Sequence, residues 1–284
     1  MRGVAGPVWM VVGALVVTLV LAGCGSDGGG ADPEVAETTT TSAVLAGTGT
    51  TAAAGGGDAF AVLAGEGVPV DLDELAANLQ DRLVAAGHDD GVAVVDGDRV
   101  QVTPGPGPLD ADALDDLLAT PGRLEMRPVL EVLPPDCEAV EPTGTPEVAV
   151  YPELDGDGAV VACYSLAPSG ITNDAIEDAS ATFPNGSWVV NPIFTEAGIE
   201  AFNALAADCV ATTPDCPTGM VAIAVDGVVL TAPTVNEPSF QRDQIQISGG
   251  GGDPATGQFT KAEARVIAAS LRVEPLPSGL EVVR

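Results

Sequence analysis

The chain has 284 residues, and 41 Asp and Glu against 10 Lys and Arg give it a formal net charge of −31. Such a chain is repelled by phosphate backbones and anionic lipid, which excludes nucleic-acid binding, and its solvated acidic surface suits an exported, soluble protein. With 46% hydrophobic residues it can build a real core, as one large or two small domains.

At the N-terminus, Arg2 is a minimal positive region, and Val8–Leu21 is an uncharged apolar run. The run is short for a transmembrane helix and suited to an export signal. Leu21-Ala22-Gly23-Cys24 then places small residues before a cysteine, the pattern of bacterial lipoproteins. Residues 1–23 are therefore expected to be a lipoprotein signal peptide, with Cys24 the lipidated (palmitate-type) first residue of the mature chain. An uncleaved anchor helix over Val4–Gly23, about twenty residues, is the rival reading. It is disfavoured because Cys24 stands where the apolar run stops and a polar stretch starts. Residues 24–66, rich in Gly, Ala and Thr, cannot bury enough apolar area to offset their ordering entropy and read as a flexible tether. The expected location is the extracytoplasmic face of the cell membrane, through the lipid anchor.

Residues 67–133 read as helix, hairpin, helix and strand. Leu72, Leu75, Leu79 and Leu83 recur at helical spacing over Asp71–Ala86, with Asp71 or Asp73 as cap and Gly87 as stop. Gly91–Val95 and Arg99–Thr103 are strands around Asp96-Gly97, a type I′ turn signal. Pro104–Pro108 breaks the pattern. Leu114, Leu117 and Leu118 then mark a helix over Leu109–Ala119, and Arg123–Leu133 reads as a strand. Helices on one face of a sheet make this an α+β layer. His88, beside Asp89 and Asp90, is expected to be a solvated helix end rather than a base.

Residues 134–284 start in a Pro-, Gly- and acid-rich stretch, with short strands at Glu147–Tyr151 and Ala159–Tyr164. Trp188–Phe194 is a strand, and Thr195–Ala207 a helix capped by Thr195 with Phe202 and Leu205 facing inward. Met220–Val225 and Val228–Val235 flank Asp226-Gly227, a strong type I′ hairpin signal. Pro233 cannot donate a ladder hydrogen bond, so the second strand should be an edge or carry a bulge there. Gln244–Ser248, with Ile245 and Ile247 on one face, reads as a third, half-buried strand. Gly249–Gly257 lacks the Lys-Ser or Lys-Thr pair of a phosphate loop and is expected to be a connector. Thr260–Leu271 is a helix opening on a Thr260/Glu263 capping box, and Leu280–Val283 a closing strand.

Apart from Cys24, the cysteines are Cys137, Cys163, Cys209 and Cys216, an even number in an exported chain. Three pairings are possible. Cys137–Cys163 with Cys209–Cys216 is favoured, because the second pair closes a short loop around Pro214 between a helix and the central hairpin. No Cys-x-x-Cys spacing suggests zinc. No nucleophile elbow or Ser-Lys pair suggests an enzyme, and Asp115-Asp116 should face water. Neither a cofactor nor a metal is expected.

The ordered series Asp226-Gly227, Val228-Val229, Ala232-Pro233, Asn236-Glu237-Pro238, Gln246-Ile247-Ser248-Gly249, Phe259-Thr260, Glu263-Ala264, Leu271-Arg272 and Leu276-Pro277 resembles the first periplasmic domain of SecD, a membrane subunit that assists Sec-dependent export. Gly122-Arg123-Leu124-Glu125-Met126-Arg127, Tyr164–Pro168, Ile171–Ala179 and Thr195–Gly198 extend the likeness to about two thirds of the chain. The resemblance implies an α+β fold, with a ferredoxin-like base and an inserted α+β head subdomain. Residues 67–133 would be the base and 134–284 the head with a C-terminal return to the base. It also implies a membrane-tethered accessory role in export, with translocating polypeptide or Sec translocon subunits as partners. SecD continues into transmembrane helices where this sequence stops at Arg284, so a stand-alone lipoprotein without that part is expected. Candidate polypeptide-binding residues are Asn236, Glu237 and Phe240, the last an apolar side chain in a polar loop; Phe240 could instead fold back over the hairpin. The competing function is a stand-alone envelope binding module that kept the fold without a part in export.

Overall fold

The computed structural model describes residues 59–137, 148–249 and 258–284. The expected signal peptide, Cys24, the tether up to residue 58 and the glycine-rich residues 250–257 lie outside the described residues. The first element, β1 (Phe60–Ala64), falls inside the stretch read as tether. Its Phe60 and Val62 are 1% and 0% exposed. A five-residue strand between glycine-rich segments is too short to declare itself by alternation alone, and its partners are far away in sequence.

β1 is the centre of the base. It pairs antiparallel with β3 (Arg99–Thr103) on one side and with β11 (Leu280–Val283) on the other, and β2 (Val92–Asp96) completes the order β11-β1-β3-β2. Helix α1 (Leu72–Ala85) follows β1, and α2 (Ala111–Ala119) follows β3. This is the β-α-β-β-α-β ferredoxin-like arrangement, with the fourth strand delivered only after a long insertion. Asp71 caps α1 by accepting from the N–H groups of Asp73 and Glu74 at 3.0 and 3.2 Å, and Asp110 caps α2 by accepting from Ala113. Leu75, Leu79, Leu83, Leu114, Leu117 and Leu118 then meet Val62, Val100 and Val102 of the sheet in one core.

Two local expectations change here. Asp96 pairs with Arg99, so the β2–β3 turn residues are Gly97 and Asp98 rather than Asp96-Gly97, and of these only Gly97 has positive φ, at 68°. The turn is therefore not type I′, which needs positive φ at both central residues. His88 is not solvated: it is 1% exposed. The N–H of Leu109 donates to its Nε2 at 3.3 Å, and a Cβ on Gly107 would stand 2.1 Å from its Nδ1. The imidazole plugs the gap between the end of α1 and the start of α2, where the Pro-Gly run folds over it.

The insertion is the head. Leu124–Leu133 (β4), grouped by sequence with the base, instead enters a closed barrel in the order β10-β5-β6-β4-β9. Its neighbours are β9 (Val221–Val225) and β6 (Val160–Leu166), with β5 (Ala149–Leu154) and β10 (Val228–Thr231) closing the ring. Partners about a hundred residues on cannot be read from local pattern. Leu124 to Val129 are all buried, because the strand is covered on both faces. A second sheet pairs β7 (Ile176–Thr182) with β8 (Val189–Phe194). Helix α3 (Glu196–Val210), capped by Thr195 Oγ1, packs Phe202 and Leu205 inward.

The β9–β10 turn has positive φ at both Asp226 (52°) and Gly227 (79°), the type I′ geometry. β10 is not an edge: it pairs with both β9 and β5, and its register shift lies between Val229 and Thr231, before Pro233. Gln244–Ser248 is not a third strand of this hairpin. A single bridge, Ile247 to Val190, attaches it to β8, while Ile245 and Ile247 are buried in the head core. The alternation correctly marked the buried face but not the partner. Helix α4 (Lys261–Leu271) opens on the Thr260/Glu263 capping box and leads back to β11. Disulfides join Cys137 to Cys163 and Cys209 to Cys216, with Cα–Cα distances of 6.2 and 4.8 Å. The first ties the end of β4 to β6. The second ties the end of α3 to the loop before β9.

Candidate functional site

The loop after β10 carries all three candidate binding residues, and the structure separates them. Phe240 is half-buried; its ring meets Phe202 of α3 edge-on, with centroids 5.6 Å apart. Asn203 of α3 fixes the loop backbone there: Phe240 N–H donates to Asn203 Oδ1 at 2.8 Å, and Asn203 Nδ2 donates to the Phe240 carbonyl at 3.2 Å. Phe240 thus rests on α3, not on the hairpin. Asn236 and Glu237 are exposed farther back in the loop and do not reach the same surface.

Beside Phe240 lies an open groove of about 580 Å³, lined by Ile193, Ile199, Phe240 and the polar Gln241, Asp243, Glu177 and Arg242. Ile193 is 38% exposed, although the strand positions around it, Pro192 and Phe194, are buried. Besides Phe240, an apolar residue on the outward phase of a strand was a signal in the sequence for this surface. Ile199 belongs to the first turns of α3, which Gly198 lets approach the chain: a Cβ there would meet the Ala175 carbonyl at 2.2 Å. Arg242 holds the groove's polar rim by pairing with Glu177 and by donating from Nε to the Phe194 carbonyl, while Phe194 N–H returns a bond to the Arg242 carbonyl at 3.0 Å. The groove is therefore apolar in its floor and charged at its edge, and its lining comes from β7, β8, α3 and the loop after β10.

A second polar assembly joins the head to the base. Asp226, at the tip of the β9–β10 hairpin, accepts from the N–H groups of Gly122 and Arg123, both at 2.9 Å. Asn173 accepts from Leu124 N–H at 2.8 Å and donates to the Gly122 carbonyl at 2.9 Å. Arg82 of α1, 0% exposed, donates to the carbonyls of Leu117 and Thr120 at 3.1 and 2.7 Å and to that of Pro121. Burial pushes the Arg82 guanidinium down to about 10, the nearby Asp226 carboxylate opposing. It stays charged at neutral pH and satisfies the last carbonyls of α2. Inside the barrel, Arg127 and Glu125 form a buried pair at 2.8 Å, and the Tyr151 hydroxyl donates to Glu125 Oε2 at 2.8 Å. Burial, then the Glu125 hydrogen bond, pushes the Tyr151 phenol up to about 12. Both assemblies are satisfied internally and act as scaffolding.

A third surface is acidic. Asp110, Asp112, Asp116 and Glu263 line a cleft of about 440 Å³ between α2 and the start of α4. Partial burial, then the neighbouring carboxylates, raises the Asp116 carboxyl above the usual aspartate range. Among the described residues, no group of His, Cys, Asp and Glu is placed to hold a metal ion, and no helix is long and apolar enough to cross a membrane.

Residues 149–278 match the family described as SecDF, P1 head subdomain. The protein translocase subunit SecD of Rhodobacter capsulatus is 31% identical over 205 residues, covering 70% of this chain and 32% of that protein. The chain thus spans about a third of that relative's length. Two solved structures share the fold. One, of a membrane component SecDF that enhances protein export, superposes with a TM-score of 0.51 at 23% identity, covering 79% of this chain and 98% of that one. The other, SecDF in a super-membrane-facing form, gives 0.53 at 22% identity over 80% of this chain and 29% of that one. The segment that carries the groove, the Asp226 hairpin and the Phe240 loop matches the SecDF P1 head, set here on a ferredoxin-like base, and 70% of the chain is similar to a SecD subunit.

Proposed function

We propose that this protein is a membrane-tethered, extracytoplasmic accessory of Sec-type export, and that its head transiently holds translocating polypeptide. The observation that carries this reading is the open groove of about 580 Å³. Its floor of Ile193, Ile199 and Phe240 offers apolar contact to a side chain of an extended polypeptide, and its wide opening suits brief, sequence-tolerant binding rather than retention of one small ligand. Kinship with a translocase subunit and with a component that enhances export supplies the biological setting. Cys24 would carry the lipid, with the residues after it as tether, leaving the folded part free to meet chains emerging at the membrane surface. Asn236 and Glu237, exposed farther back in the same loop and outside the groove, would contact the polypeptide only where it runs on past the groove.

In-cell crosslinking tests the reading. A photoreactive residue is best placed at Gln241, which is exposed and lines the groove, since Phe240 is engaged with Phe202. Asp98 on the base hairpin is the control. Capture of many unrelated secreted chains, or of Sec channel subunits, from Gln241 and not from Asp98 is expected. Recovery of one unrelated envelope protein would favour the stand-alone binding module instead. Equal capture from both positions would remove the groove from the account. Metabolic labelling with an alkyne fatty acid checks the anchor: the label should disappear in Cys24→Ala.

A further inference from the structure

A second cleft, of about 240 Å³, lies between head and base, where Ala179, Ser180 and Ala181 of β7 face the end of α1, Pro108 and α4. Three consecutive β7 residues line it. Side chains alternate along a strand, so a run of three presents the strand's edge, not one of its faces. That edge has no partner strand, because β7 pairs only with β8, although the Ala179 N–H on it already donates to Asp178 Oδ1 at 2.9 Å. The remaining lining is Ala, Gly and Pro together with Arg265 and Arg272. A chain with 41 acidic residues places two of its few arginines in this lining, and the one carboxylate bonded to it, Asp178, is already held by Arg272 and the Ala179 N–H.

The two arginines differ in state. Arg272 pairs its Nε with Asp178 at 2.8 Å and donates from Nη1 to the Ala85 carbonyl at 3.4 Å, which leaves its other guanidinium hydrogens available. Arg265 is half-buried and makes no hydrogen bond or ion pair, whereas the other basic side chains among the described residues, apart from the exposed Lys261, all do. A half-desolvated guanidinium without an acceptor, in a molecule this acidic, is a donor set waiting for an anion.

We propose that this cleft is a second binding site, which takes an extended peptide segment carrying a carboxylate side chain. The peptide backbone adds to the unpaired edge of β7 beyond Ala179, and the carboxylate is received by Arg265, with Arg272 beside it. The small lining residues restrict the segment's other side chains on that face to about the size of alanine or serine. The molecule's overall negative charge does not forbid this, because at physiological salt charges beyond about 8 Å are largely screened and the lining itself is cationic. The site is independent of the Phe240 groove, so each can fail alone.

The test is fluorescence anisotropy of a labelled, end-capped pentapeptide alternating alanine and glutamate, titrated with the full chain at physiological ionic strength. Saturable binding is expected. It should weaken about tenfold or more in Arg265→Gln, the loss of a charge-assisted hydrogen-bond pair, and stay within a few-fold in Arg265→Lys. The same peptide with glutamine for glutamate, or with alternate amides N-methylated, should bind at least as weakly as the variant. Because Arg265 has no internal partner, Arg265→Gln should melt with the parent; if it does not, Arg265→Lys and the glutamine peptide decide. Equal binding of glutamate and glutamine peptides, no response to Arg265→Gln in a folded variant, or no binding at millimolar concentration overturns the proposal, and indifference to N-methylation removes strand addition from it.

Discussion

Asp226 does two jobs with one side chain. It supplies the positive φ of a tight turn, which Asp tolerates better than most residues, and its two oxygens each accept a backbone N–H where the chain leaves the base. Replacing it with Ala strands both donors, and at about 1–3 kcal/mol for each buried unsatisfied group the loss should be of the order of 2–6 kcal/mol in urea denaturation. Asp226→Asn keeps one acceptor and should lose less; equal stability of all three proteins would mean the clamp is dispensable. Asp116 works in the opposite direction. Its carboxyl is raised in the folded state by partial burial and by Asp115, Asp112, Glu263 and Asp110. The folded protein therefore binds its proton more tightly than the unfolded chain does. This group's relative stabilisation is complete below the ordinary aspartate value near 3.8 and is lost as pH rises through the folded value. Asp116→Asn should accordingly raise the melting temperature at pH 7, with the gain vanishing as pH falls toward 3.8.

At the level of elements, α4 has two apolar faces serving different cores. Ala264, Ala268 and Leu271 pack into the head, while Val266 and Ala269 pack into the base. Helical periodicity identifies such a helix but cannot say that its stripes have separate clients. Thr260→Ala removes the capping box and should cost about 1 kcal/mol. Since the helix belongs to both cores, Trp188 fluorescence, which reports the head, and far-UV circular dichroism, which reports the whole, should shift together in one transition. Divergent midpoints would show that head and base unfold separately. The strands tell a similar story. Asp226-Gly227 was legible because its geometry depends on two adjacent residues, whereas the neighbours of β4 and of Gln244–Ser248 depend on segments far along the chain.

For the molecule as a whole, the junction is held by Asp226, Asn173 and Arg82, and by Arg272, which reaches from Asp178 in the head to Ala85 in the base. Spin labels at Asp98 in the base and Asp157 in the head should therefore give one narrow distance distribution; a bimodal distribution would show a head that swings despite these contacts. The disulfides constrain the unfolded chain over separations of 26 and 7 residues. Loop-closure entropy gives about 3.5 and about 2.4 kcal/mol respectively. Replacing Cys137 and Cys163 with Ala should thus destabilise the head more than replacing Cys209 and Cys216, as measured by denaturant midpoint.

The sequence by itself determined whatever lies within a turn or two of helix: the caps Thr195 and Thr260 and the choice of Asp71 or Asp73 for α1, the buried leucines of α1 and α2, the Asp226-Gly227 turn, and, through the ordered motifs, the SecD likeness and the base-and-head plan. Only the tertiary structure decided that Phe60–Ala64 is the central base strand, that β4 belongs to the barrel, that His88 is buried, that Phe240 leans on Phe202, and that Arg265 stands alone in a cleft. The physical reason is the same in each case. Caps and turns are satisfied by atoms a few residues away, which local pattern reveals. Burial, register and pairing are settled by partners that loop closure brings from tens to hundreds of residues off.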